Sequence, residues 1–362
     1  MQTAVGKSLT LGVSAARYCM GACAVGGIVL LAGCFWQRDT LLYVRDEVCT
    51  PGDTITLTAK LEENDWHWED VEGKPLSFTN VKGGDKIEFL GGDVTDREGR
   101  ARVSFRPPAP GDYTIECQFA GAPGLRPTSF RARVLCQQPA RYGIILDIDK
   151  TLAATSIKDV FAGRLRLALP LDLDTVRVVN DLAKEYDLFI VTSRPRTQAA
   201  AVLDWLTGNG FPRVPTFFYD PRAEAIRPAM AKRKIIQDLK RRDPFIAVGI
   251  GDRESDLEGY MRDGLLAIGI GREEKGAFAA RRWSDVEALL FSEPDPAVVP
   301  QQLIVHRGKD VAQFWPSHEG NRWKLEYALK EGAFQSAPFD SWPNQLKNIL
   351  KLITALQAKL ER

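Results

Sequence analysis

The hydrophobic period of this chain changes once, near residue 140, and that change limits the folds open to it. Before it, from Leu41 to Cys136, apolar and polar residues alternate. TITLTAKL sets Ile55, Leu57, Ala59 and Leu61 on one face, and ARVSFRP, GDYTIECQF and TSFRARVLC repeat the habit. A period of two is a strand with one face buried. The turn clusters Pro51-Gly52-Asp53, Gly83-Gly84-Asp85 and Pro110-Gly111-Asp112 separate the runs, so residues 38–136 predict an all-β sandwich. After QQPAR, apolar runs without alternation (YGIILDID, DLFIVTS, FIAVGIGD, LLAIGIG) take turns with helical stretches such as DLDTVRVVNDLAKEY and MAKRKIIQDLKRR. Strands apolar on both faces, with helices between them, predict an α/β domain over 141–293 with a covered parallel sheet.

In such sheets ligands sit outside the carboxyl ends of the strands. The first three runs end in polar residues there: Asp147 and Asp149, then Thr192 and Ser193, then Asp252. Two carboxylates one residue apart repel unless a cation lies between them. One chemistry that such a pair could perform is phosphoryl transfer. A carboxylate at Asp147 can attack phosphorus, and Asp149 can serve the proton transfers. Mg2+ resolves the repulsion, with Asp252 and Asp256 of GDRESD as the opposing acids. A hydroxyl at Thr192 and an ammonium from MAKRKII would hold the phosphoryl oxygens. Lys232 fits that place better than Lys234, because Ile236 and Leu239 follow it four and seven residues later on one helix face.

The order Asp147-x-Asp149-x-Thr151, Thr192, a lysine at a helix start, and Gly251-Asp252-x-x-x-Asp256 resembles the four motifs of haloacid-dehalogenase-superfamily phosphatases over about 150 residues. The resemblance implies a Rossmann-like domain. It makes Asp147 nucleophile and Mg2+ ligand, and Asp149 general acid/base and a ligand through its backbone carbonyl. Asp252 becomes a ligand, Asp256 a further or alternative ligand, and Thr151, Thr192, Ser193, Arg194 and Lys232 or Lys234 phosphate-binding. FIVTSRP and GDRESDLEGYMRDGLLAIGI are similar to the catalytic domains of lipins and of actin-patch-type phosphatidate phosphatases, including Arg194 and Arg253. The departure is Lys150, where these families carry a small or acidic residue. A cation beside Asp149 favours its ionised form and works against an acid role. The 38–136 segment resembles the immunoglobulin-like modules of bacterial surface proteins.

The spacings between motifs leave no room for a full cap domain, so an open site is expected, suited to phosphate on a large or membrane-bound molecule such as phosphatidate. A soluble nucleotide or sugar phosphate is the alternative substrate class, and a catalytically inert surface binding protein the alternative function. Residues 1–33 read as an export leader ending in Leu31-Ala32-Gly33-Cys34, which resembles a lipoprotein processing site. Cys34 would then carry the lipid that anchors an exported protein to a membrane. Three cysteines remain in the body, Cys49, Cys117 and Cys136, enough for one disulfide or none. The scattered histidines argue against zinc, and a formal net charge of +1 argues against nucleic acid. Trp66 and Trp68, in a presumed loop NDWHWED, are expected to pack on the sandwich. In the extension 294–362, Leu346, Ile349, Ile353, Leu356 and Leu360 recur at helical spacing and predict a helix docked on the α/β domain.

Overall fold

The alternating segment forms nine strands: β1 (Thr40–Val44), β2 (Glu47–Cys49), β3 (Ile55–Asp65), β4 (His67–Asp70), β5 (Pro75–Lys82), β6 (Asp85–Val94), β7 (Arg100–Phe105), β8 (Gly111–Phe119) and β9 (Thr128–Cys136). They make two sheets, one with β3 between β1 on one side and β4 and β7 on the other, the second in the order β2-β9-β8-β5-β6. Leu57, Ala59 and Leu61 from the first and Phe78, Ile115, Cys117 and Val134 from the second are buried in one shared core. β1 pairs antiparallel with β3, then β2 pairs parallel with β9, so a single excursion of chain joins an edge of each sheet. The structure, a computed structural model, describes residues 37–65, 67–82, 85–137, 141–155, 168–220, 228–292, 294, 299–307, 310–319, 322–329, 335–339 and 341–358. The leader, Cys34 and Trp66 lie outside these residues.

NDWHWED is strand rather than loop: β3 and β4 form a hairpin with Asp65 opposite His67, and Trp68 is half-buried. The three body cysteines are buried and unbridged, with Cys49 and Cys136 facing each other as register partners.

The second half is α/β. It runs β10 (Gly143–Leu146), α1 (Thr175–Glu185), β11 (Asp187–Pro195), α2 (Ala199–Gly208), β12 (Thr216–Tyr219), α3 (Pro228–Arg242), β13 (Ile246–Gly251), α4 (Glu254–Arg262), β14 (Leu266–Ile270), β15 (Phe278–Ala280) and α5 (Trp283–Phe291). Its strands lie in the order β12-β11-β10-β13-β14-β15 and every pairing is parallel. The chain winds outward from β10 to β12, then returns to lay β13 on the other side of β10. The reversal opens a crevice between the carboxyl ends of β10 and β13, the usual ligand position in such sheets.

The extension is more than a helix. It forms an antiparallel meander, β16 (Leu303–Arg307), β17 (Asp310–Glu319), β18 (Arg322–Leu329) and β19 (Gln335–Phe339), before α6 (Trp342–Ala358). Pro316 and the adjacent apolar pair Phe314-Trp315 break the alternation that would have marked β17. Leu346, Ile349 and Ile353 of α6 are buried, and Trp342 meets Phe278 edge-on while its indole N–H donates to Leu289 O at 2.8 Å. Leu360 is outside the described residues. Among the described residues no helix is long and apolar enough to cross a membrane.

Sandwich and α/β domain belong to one compact unit, residues 37–362. The β1–β2 turn makes much of the join. Buried Asp46 accepts hydrogen bonds from the backbone N–H groups of Arg133 in the sandwich and Thr216 of β12, and pairs with Arg213. Arg45 and Glu47 on either side pair with Asp238 and Arg242 of α3. After β9, Gln137 bonds the carboxyl of Asp243, which burial pushes up to about 7, with backbone and Gln137 hydrogen bonds opposing. A carboxyl that keeps its proton longer in the folded chain contributes stability at low pH, and loses it as pH rises from about 4 toward 7. Asp243→Asn, an uncharged mimic, should therefore flatten that part of the stability profile; urea midpoints at pH 5 and pH 7.5 for both chains check this.

Candidate active site

The site grows from the end of β10. The backbone N–H of Asp147 still donates to Ile250 O of β13 at 3.1 Å, so Asp147 keeps sheet spacing. The chain then coils: the N–H groups of Thr151, Leu152 and Ala153 all point at Ile148 O, at 3.2, 2.9 and 2.9 Å. That turn passes through the left-handed region at Lys150, φ 58°, the one non-glycine residue with positive φ among those described. A side chain there costs about 1–2 kcal/mol.

Carboxylates converge on the crevice from three places. Asp147 comes from β10, Asp252 from the end of β13, and Asp256 from the first turn of α4, with one oxygen of each within 4.8 Å of the others. α4 comes close enough for this because Gly249 offers no side chain; a Cβ there would stand 2.4 Å from the Tyr260 ring. Lys232 of α3 places its buried Nζ 3.0 Å from Asp147 Oδ1 and 3.0 Å from Asp256 Oδ2, with the Tyr260 ring centroid at 5.9 Å. Burial alone would lower a lysine's pKa, but the two carboxylates override it and hold Lys232 well above its ordinary value. Burial pushes Asp147 up to about 7; Lys232 opposes this, and Asp256 and Asp149 reinforce it. Asp252 is also raised by burial, against Arg253 and Lys232.

Asp149 turns elsewhere. Arg194, fully buried, donates from Nε to Oδ2 at 3.0 Å and from Nη2 to Oδ1 at 2.5 Å, and Thr155 Oγ1 adds 2.8 Å to Oδ1. The remaining Arg194 amino group donates to Gln198 Oε1 at 2.9 Å. The cation beside Asp149 is thus Arg194 and not Lys150, whose exposed side chain lines the cavity outside. Arg194, expected on phosphate, spends three of its five guanidinium N–H donors on Asp149 and Gln198.

The other expected residues divide. Thr192 is buried at the end of β11 and its Oγ1 accepts from Arg194 N at 3.2 Å; Ser193, next along the strand, is half-buried. Thr151 Oγ1 is buried with no hydrogen-bond partner. Lys234 is exposed, since two residues along a helix turn the side chain about 200° from Lys232. Thr155, Gln198 and Tyr260 were not foreseen. Tyr260 falls four residues after Asp256 and so shares its helix face; nothing local in the sequence marks Thr155.

A hard divalent cation fits this donor set. Three carboxylate oxygens lie together, and Asp252 Oδ1 is buried with no hydrogen-bond partner.

Residues 144–268, roughly a third of the chain, match the family model described as PITM 1-3, LNS2 domain. The match supports a phosphatase-type α/β domain of the haloacid dehalogenase kind. No curated protein matches the chain. Among solved structures, a haloacid dehalogenase-like family hydrolase from Streptococcus pneumoniae is similar at 16% identity, covering 43% of this chain and 92% of that one, TM-score 0.27. A candidate phosphatase from Clostridium difficile is similar at 13%, covering 36% and 86%, TM-score 0.27. Domains 4 and 5 of the S-layer protein SbsC are similar at 13%, covering 27% of this chain and 51% of that one, TM-score 0.19. Likenesses this slight carry no argument about chemistry.

Two outcomes follow from the geometry. Lys232→Met leaves two carboxylates buried without their cation and should cost about 3–5 kcal/mol in urea unfolding at pH 8, less at pH 5 where Asp147 takes a proton. Gly249→Ala drives a methyl into the Tyr260 ring and should cost about 1–3 kcal/mol by the same measurement.

Proposed function

We propose that the protein is a magnesium-dependent phosphatase that works through an aspartyl-phosphate on Asp147, with phosphatidate or another lipid phosphomonoester as substrate. The observation that carries the reading is the cluster of Asp147, Asp252 and Asp256 around Lys232 at the switch point of the sheet. Asp147, Asp252 and Asp256 would hold the ion, with the backbone carbonyl of Asp149 as the resemblance implies. Bound there, Mg2+ would neutralise phosphate charge and keep Asp147 ionised at neutral pH.

The residues then take separate parts. An oxygen of Asp147 attacks phosphorus while the bond to the leaving oxygen breaks. Lys232 stays charged and holds its nucleophile in place, and the unpartnered hydroxyl of Thr151 is free to donate to a phosphoryl oxygen. Asp149, fixed by Arg194, is suited to take a proton from the water that hydrolyses the phosphoaspartate. To protonate the leaving group it would first have to exchange a hydrogen bond from Arg194 for a proton.

The leader and Cys34 extend the proposal to an exported, lipid-anchored protein working at a membrane. The segments 156–167 and 221–227, where a cap would be inserted, lie outside the described residues. A second reading, a phosphate-binding domain without turnover, is favoured by the Arg194 clamp on Asp149. The deciding assay is phosphate release from phosphatidate in mixed micelles with Mg2+. Wild type should release phosphate, Asp147→Asn should lose at least about a thousandfold in kcat, and EDTA should abolish the rest. Binding without release in the wild type selects the second reading.

A further inference from the structure

Beside the carboxylate cluster lies a cavity of about 1000 Å³ that shares Asp252 with it and is lined by Lys150, Arg253, Arg272, Arg281 and Arg282. Its charges do not cancel. Glu254 pairs with Arg272 at 2.6 Å, Glu258 with Arg262 at 3.1 Å, and Arg282 leans on Asp285 at 3.6 Å. Asp172 is engaged in the turn before α1 and by the backbone N–H of Trp283. Lys150, Arg253 and Arg281 are left, exposed and with no close ion pair among the described residues, and the carboxylate they face is Asp252, on which Lys150 and Arg253 act from a distance. Lys150 stands out further: its backbone occupies the left-handed region that suits glycine, and the strained turn delivers its side chain to this wall.

The group transferred does not need these three. The Thr151 hydroxyl and the proposed metal ion would meet it inside, whereas Lys150, Arg253 and Arg281 sit outside the cluster, where the rest of a substrate bound at Asp147 would project. We propose that this cavity takes a second phosphate-class anion, so the preferred substrate presents another phosphate near the one removed. This deepens the phosphatase reading and rests on it for the identity of the site. The second anion can belong to the same molecule or to a neighbouring lipid headgroup, and both use the same cations.

The test compares wild type with the triple variant Lys150→Ala, Arg253→Ala, Arg281→Ala and with its charge-keeping counterpart Lys150→Arg, Arg253→Lys, Arg281→Lys. One arm measures kcat/KM for glucose 1,6-bisphosphate against glucose 6-phosphate. The other uses phosphatidate in phosphatidylcholine vesicles with and without phosphatidylglycerol. Wild type should favour the added anion by about tenfold in at least one arm, the alanine variant should lose that preference, and the charge-keeping variant should retain it. Preference in the first arm alone places the anion on the substrate, and in the second alone on a neighbouring lipid. Equal ratios in wild type and alanine variant overturn the proposal. If no phosphate is released from any substrate, the phosphatase reading falls. The anion site is then judged by calorimetric binding of the same two sugars and by sedimentation with the same vesicles, where again an unchanged ratio in the alanine variant overturns it.

Discussion

Everything at the carboxyl end of the sheet depends on one ammonium. Asp147, Asp252 and Asp256 converge in a setting where burial already disfavours the charge on Asp147 and on Asp252, and Lys232 is the buried cation that touches Asp147 and Asp256. Its presence lets β10, β13 and α4 close on one another. Close packing requires a glycine at 249 under Tyr260, and Tyr260 in turn supports the ammonium from below. Electrostatics and packing therefore constrain the same few residues, and a change in either reaches the other.

Arg194 solves the second half of the same problem. Asp149, one residue beyond Asp147's neighbour, would add a further negative charge to the cluster; Arg194 takes it in a bidentate grip instead. Two residues on, Arg196 makes its own bidentate grip on Glu62 of β3, through Nη1 and Nη2, with both side chains almost wholly buried. The SRPR segment is therefore held at one point by the site and at the next by the sandwich. α3 is treated likewise. Its first turns carry Lys232, and its last pair with Arg45 and Glu47 beside β2. The sandwich thus fixes the two elements that supply the site's buried cations.

Much of this was legible in the residues. The two periods separated a β half from an α/β half because each strand's burial is written in its own alternation. The acids at strand ends could be placed because a parallel sheet gathers those ends. Lys232 could be ranked above Lys234 because helix geometry puts them on different faces. What escaped was long-range or irregular. No local pattern shows that Arg194 will pair with a residue 45 positions earlier, or that Thr155 will join it. The meander β16–β19 escaped because Pro316 and the pair Phe314-Trp315 interrupt β17, which leaves the alternation of β18 without an evident partner, and the NDWHWED hairpin because its charged residues read as a turn.

The placement of cations finally separates what the fold must do from what a ligand can use. Arg194 and Arg196 are buried and spent on carboxylates of the chain itself, and Lys232 is bound to its nucleophile. Glycine at 150 would make the turn without strain. The lysine there instead adds a positive charge that acts on Asp252 from the cavity side. That charge is held at a conformational cost on a wall with two further exposed arginines, so it is open to solution, where the proposed second anion would meet it.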